Sequence, residues 1–403
     1  MRAGGAYARG MMNSWICRTA AVALVCIAAP CQAADTRVEI ESMLRDMAAA
    51  CIAGDSAGYM KHVSEADPEF FHEQKYFAND LIKKPAKECA FTIGELKEQE
   101  GVAMAPFTME WAMPTGKPRT LTFDAKFVRA EEGWRYAGET WERHEAPGVL
   151  VLHDPGLSEL ADRVVTAFGE VRSHVQDGFN LGDKALASRT QKIKLYGTMK
   201  HLQASICLSY SDGLAGWNEP GESIKILTNA RSSIGALRPL LAHEFGHVAT
   251  FELGPTSNKM PWWILEGVAE LSAEQWGRKP DGMVKAWAQA GRIAKWDDLA
   301  DFETVEGKWR GHVYTQGHHM LGFISDQFGR DGRVAWMTAM SNGKTLDEAS
   351  QEAFKLSFSQ LDERWRASLP PVKPADEKAA DEKPAAAEDS GKPNSEKADP
   401  KGN

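Results

Sequence analysis

Residues 240–247 read Leu-Leu-Ala-His243-Glu244-Phe-Gly-His247, and residues 262–270 read Trp-Trp-Ile-Leu-Glu266-Gly-Val-Ala-Glu270. In the first stretch the two histidines are four apart, so on a helix they share a face and both imidazoles can meet one metal ion, with Glu244 on the same side. Leu241, Phe245 and Val248 supply an apolar face, Pro239 suits a first helical turn, and Gly254-Pro255 stops the helix. His-Glu-x-x-His alone arises by chance in roughly two sequences per hundred of this length, so it suggests chemistry without deciding it. The second stretch adds weight. A catalytic zinc takes three protein ligands and keeps a fourth position open, so a histidine pair needs one more donor. Glu266 follows His247 after eighteen intervening residues. Four polar groups converging on an otherwise apolar helix pair would be costly to bury without a metal.

The combination of HExxH, eighteen residues, then Glu within WxxEGxAE resembles the gluzincin metallopeptidases, and within them the bacterial peptidase MA-like proteins. The resemblance covers residues from about 149 to 369. It implies one zinc ion per chain held by His243, His247 and Glu266, with Glu244 as general base for a zinc-activated water. It implies that Glu270, one turn after Glu266, hydrogen-bonds a liganding histidine. It also implies that Tyr314, in the stretch Gly311-His-Val-Tyr314-Thr-Gln-Gly-His318-His319, holds the oxyanion. His318 and His319 are expected to pack or face solvent. Peptides or proteins are the implied substrates. The substrate-amine motif of the aminopeptidase N group has no clear counterpart, so endopeptidase activity is favoured and Glu219 is expected to be a polar loop residue. Two alternatives stay open: a catalytically silent binding or scaffold protein of the cell envelope, and a zinc hydrolase of non-peptide amides or esters.

Outward from the motif, elements alternate between 149 and 227: strand 149–153, helix 157–175 with Val164, Val165, Phe168, Val171 and Val175 on its apolar face, then strands 192–196 and 223–227. The last strand takes the place of an edge to which an extended substrate can add. Helices then run to residue 369. Before residue 145 the order is helices first and strands after. Val38, Met43, Leu44, Met47 and Cys51 mark one face of an opening helix that Gly54-Asp55 ends. Leu121, Phe123, Ala125 and Phe127 alternate with polar residues as a half-buried strand does, with turns at 114–117 and 131–133. This pattern of an α+β unit with a curved meander resembles the nuclear transport factor 2/SnoaL-like superfamily, whose members range from enzymes to interaction modules. A protein partner for this domain is therefore one expectation. Trp111, Trp134 and Trp141 could line a pocket in the cone, with the core the favoured place for them.

The whole chain is thus expected to be α+β: a cone-like domain at 34–145, then, after a short linker, a zincin-like domain at 148–369. Its 403 residues carry 47 Lys+Arg against 56 Asp+Glu, a formal charge of −9, with no dense basic run, which argues against nucleic acid as a partner. Residues 1–33 read as a cleavable secretory signal: Arg2, Arg9 and Arg18 precede an apolar run at 20–30, and Cys31-Gln-Ala precedes Ala34. The run is too short to cross a bilayer, so a periplasmic or secreted protein without a membrane span is expected. Cys17, Cys26 and Cys31 leave with the signal, and of Cys51, Cys89 and Cys207 the first two are the favoured disulfide pair, with Cys207 a buried thiol. Residues 370–403 lack aromatic residues, repeat Ala-Asp-Glu-Lys and carry six Lys against eight acidic residues. Such a segment cannot bury enough apolar surface to fold.

Overall fold

The computed structural model describes residues 29–182 and 189–373, with side chains from residue 35 onward. Residues 1–28 of the expected signal segment, with Cys17 and Cys26, and nearly all of the expected tail lie outside these residues, while residues 29–33 open the first helix. The protein is α+β, and its chain forms two compact units, Met1–Glu252 and Leu253–Asn403.

In the first unit three helices lead: α1 (Ala29–Ala53), α2 (Ser56–Met60) and α3 (Pro68–Lys83). Ile40, Met43, Leu44, Met47 and Cys51 form the buried stripe of α1, while Val38 is 63% exposed. Val38 stands two residues before Ile40, about 200° round the helix, so it falls off the stripe it was expected to join. Gly54, at φ +68°, ends the helix as expected, and Asp55 then caps α2 by accepting from the Gly58 amide at 2.9 Å.

Five strands follow: β1 (Glu88–Ile93), β2 (Lys97–Gln99), β3 (Val102–Ala112), β4 (Arg119–Ala130) and β5 (Gly133–Glu139). They form an antiparallel sheet ordered β1-β3-β4-β5, with β2 beside β3 and a register shift in β4 between Ala125 and Phe127. Leu121, Ala125 and Phe127 are buried with Met109, Ala105 and Ala103 opposite, and half-buried Phe123 faces Phe107, so the alternation read in the sequence is the inner face of this sheet. Trp111 and Trp134 are buried as expected. Trp141 is not core: it is half-buried and lines a cavity.

The second sheet, still within the first unit, is ordered β6-β7-β8-β10-β9: β6 (Glu142–Ala146), β7 (Val149–His153), β8 (Gln191–Tyr196), β10 (Ile224–Leu227) and β9 (Gly216–Trp217). β7, β8 and β10 are parallel, and α4 (Ser158–Gly178) crosses between β7 and β8. α5 (Met199–Ile206) precedes β9. β10 is not the edge strand expected from the sequence. Gly216 and Trp217 pair antiparallel along it and become the edge. Two residues are too few to give a periodic signal, so the strand reads as irregular loop in the sequence.

α6 (Ile234–Phe251) carries the HExxH stretch. Ser233 caps it through the Ala236 amide at 3.2 Å, so Pro239 lies inside the helix rather than in its first turn. Phe245 packs edge-on against Phe168 of α4 at 5.1 Å, anchoring the face opposite the histidines.

The second unit is helical: α7 (Trp262–Ala273), α8 (Asp281–Gln289), α9 (Arg310–Ser341), α10 (Leu346–Phe354) and α11 (Phe358–Ala367). α9 breaks its helical path at Gly329, whose φ is +72°. Trp263 meets Trp296 at 4.2 Å between ring centres, and Trp296 meets Trp365 at 5.1 Å, so indoles fill this core. Trp296 donates its N–H to Asp362 at 2.7 Å, and the buried Trp336 donates to Ser350 at 3.0 Å. Among the described residues no helix is long and apolar enough to cross a membrane.

Cys51, Cys89 and Cys207 are free thiols. Cys51 and Cys89 are hydrogen-bonding neighbours, as the expected pairing requires, but they carry no disulfide bond. That hydrogen bond, with burial, holds the Cys51 thiol well above the usual range. Burial pushes the Cys207 thiol up to about 11, consistent with an inert core thiol.

Candidate metal centre

On α6, His243 and His247 are half-buried and turn their Nε2 atoms toward each other, 3.2 Å apart. The i, i+4 spacing produces this approach directly. Two imidazole nitrogens so placed would suit neighbouring positions on one zinc ion. Phe251, one turn on, stacks on His247 at 6.3 Å and 17° and limits its rotation.

Glu244 lies on the same helix and is only 4% exposed. The edge strand β9 runs against it: a Cβ on Gly216 would come within 2.3 Å of Glu244 Oε1, so a side chain there would push the carboxylate from its place. Asn218 fixes the same residue from the loop, its Nδ2 donating to the Glu244 carbonyl at 2.9 Å. The sequence reading missed both. A glycine in a Gly/Pro-rich loop was the available signal for Gly216, but only the β9 pairing shows what it approaches. Glu219, in the same loop, is half-buried; burial and the neighbouring Glu222 push its carboxyl up to about 7. His247 is close enough to act electrostatically in the opposite direction. That is more than an ordinary loop residue would show.

In the second unit, Glu266 sits in the second turn of α7, and Trp262 Nε1, one turn earlier, donates to its Oε1 at 2.8 Å. This bond fixes the carboxylate rotamer. Glu270 follows one turn later and is half-buried. Tyr314 stands in the opening turns of α9, its ring edge-on to Trp262 at 5.8 Å and 80°. α7 and α9 cross at Gly267 and Gly317: a Cβ on Gly267 would lie 2.5 Å from the Gly317 carbonyl carbon. This glycine contact brings the Trp262 end of α7 and the Tyr314 turn of α9 together. His318 bonds Glu274 at 2.8 Å, and His319 accepts from Trp365 Nε1 at 2.9 Å, so both are engaged within the helical unit as expected of packing residues.

His243 and His247 on α6 and Glu266 on α7 are residues that could hold a metal ion, each offering one ligand atom. Two imidazoles and one carboxylate, with an acid beside them, are the donors of an open zinc site rather than a closed structural one.

No family model matches the chain, and no curated protein matches it. Among solved structures, the chain is similar to an M1 zinc metallopeptidase from Deinococcus radiodurans at 14% identity and a TM-score of 0.35, covering 71% of this chain and 63% of that one. A mutant of that peptidase bound to a Tyr-Ser-Ala substrate gives a TM-score of 0.33 over the same shares at 14% identity. A protein of unknown function from Mycobacterium tuberculosis is similar over 27% of this chain and 72% of its own, at 11% identity and a TM-score of 0.22. Likenesses this distant stand as similarity alone.

Proposed function

We propose that this chain is an exported zinc metallopeptidase. The observation that carries the reading is the donor set itself: two histidine nitrogens 3.2 Å apart on one helix, with Glu266 as the third donor. Bound there, zinc supplies Lewis acidity to the scissile carbonyl and to the attacking water. Glu244, buried beside the β9 edge, takes the water proton and passes it to the leaving amine. Tyr314 donates its phenolic hydrogen to the developing oxyanion, and Glu270 orients a liganding imidazole. β9 presents an open backbone edge on which an extended peptide can lie, which supports peptides over small amides. Export rests on the signal pattern at residues 1–33.

Internal cleavage remains the favoured mode. A second mode, trimming of N-termini, is favoured by Glu219, a carboxylate within electrostatic reach of His247 and suited to anchor a free amine. A mixed peptide library incubated with zinc-loaded protein, read by mass spectrometry beside Glu244→Gln, tests the reading. The wild type should cleave and the variant should lose at least about a hundredfold in kcat while still binding zinc. Equal cleavage by both would remove the general-base assignment. Product ends distinguish trimming from internal cutting.

A further inference from the structure

A cavity of about 480 Å³ opens inside the first unit, away from the HExxH helix in its lining. That volume suits a small organic molecule. One wall is the inner face of the first sheet, where Phe107, Phe123 and Tyr136 present aromatic surface; the other is the second sheet, through Leu150 and Leu152. Phe107 and Tyr136 lie 5.6 Å apart and Phe107 and Phe123 5.3 Å apart, so the floor is continuous aromatic surface.

The second-sheet wall carries a row of cations set by register. Arg143 pairs with Leu152, Leu152 with Lys194, and Lys194 with Lys225, across four neighbouring strands. The lysines of the row, and Lys192 beside it, are each answered. Glu73 of α3 bonds Lys194, Glu222 bonds Lys225 at 2.7 Å, and Asp67 bonds Lys192 at 3.0 Å. His201 also lines the cavity, but its nitrogens face Glu139 at 2.7 Å and Asp154 at 3.6 Å. Its ring lies flat between Phe123 and Trp141. The lining acids Asp67, Glu73 and Glu139 are therefore all matched by cations. Of the lining cations, Lys126 and Arg143 have no acidic partner among the described residues. Arg143, at the exposed end of the row, keeps its guanidinium fork open at the mouth of an aromatic pocket.

We propose that this cavity binds a small organic carboxylate with an apolar body, fatty or aryl, its carboxylate held by Arg143 and its body against Phe107, Phe123 and Tyr136. A guanidinium matches a carboxylate through two parallel hydrogen bonds, and the aromatic floor takes the apolar remainder. The site is separate from the metal centre and stands whether or not the peptidase reading holds.

Isothermal titration of the full chain with decanoate, phenylbutyrate, decanol and decylamine tests it. Both acids should bind, with decanol and decylamine weaker by about tenfold or more. Arg143→Gln, at an exposed position, should weaken the acids by about tenfold and leave decanol unchanged. Leu152→Trp, which fills the cavity from the second sheet, should abolish binding of the acids while circular dichroism remains native. The proposal is overturned if neither acid binds at millimolar concentration, if decanol binds as tightly as decanoate, or if Arg143→Gln leaves the acid affinities unchanged.

Discussion

His201 shows how one side chain's surroundings can reverse its ordinary behaviour. Burial alone would lower its pKa, but the Glu139 carboxylate and the hydrogen bonds to Asp154 and Glu139 outweigh burial and raise it to about 10. A group whose pKa rises on folding stabilises the fold fully below its unfolded value, near 6.5, and loses that contribution as pH climbs through 10. Unfolding free energy should therefore fall between pH 6.5 and 10 by an amount on the order of a few kcal/mol. In Glu139→Gln most of that slope should vanish; urea titrations at several pH values measure it, and an unchanged slope would assign it elsewhere. Glu73 shows the opposite sign. Burial raises its pKa, but Lys194 and Lys225 overcome that and depress it to about 2, so its contribution is present above pH 4.5 and is lost as pH falls through 2. Neither environment was readable from the sequence, because Glu73 and Lys194 stand 121 residues apart.

Among elements, the crossing of α7 and α9 depends on two glycines more than on any hydrophobic pair. A Cβ on Gly317 would lie 2.3 Å from the Trp263 carbonyl oxygen, a backbone atom that cannot rotate away. Gly317→Ala should cost about 1–3 kcal/mol or more and disturb the placement of Glu266 beside Trp262. Gly322→Ala, five residues on in the same helix with nothing within 4 Å of its Cβ, should instead gain about 0.5–1 kcal/mol from helix propensity. Denaturant midpoints for the two variants compare contact with propensity directly. If both behave alike, close approach is not what Gly317 provides. The sequence marked Glu266-Gly267 as part of a motif, but the partner glycine lies fifty residues away and carries no periodic signal of its own.

For the molecule as a whole, a metal held by His243, His247 and Glu266 links binding to stability. A ligand that binds only the folded state stabilises it by about 2.7 kcal/mol at a hundredfold excess over its Kd. Zinc should therefore raise the melting temperature by about 2–4 °C, and a chelator should reverse the gain. Glu266→Ala should remove most of this response, measured against its own zinc-free melting temperature, which the loss of the Trp262 hydrogen bond should lower. Calorimetry with and without zinc reads both. A full zinc shift in the variant would exclude Glu266 as a ligand.

Local spacing determined much of this protein. The helix with His243, Glu244 and His247 on one side, the alternation from Leu121 to Phe127, the opening helix and its glycine stop, and the α+β class all follow from periods of 3.6 and 2 over a few residues. The tertiary structure alone decided what meets what across long separations. It made β9 the edge against Glu244, set Glu73 among the lysines of the second sheet, moved Trp141 from core to cavity wall, and left Arg143 open at the end of a cationic row. The physical reason is that periodicity fixes which face of an element is apolar, whereas register between strands and close packing between helices fix which side chains share that face. Those depend on the whole folded chain.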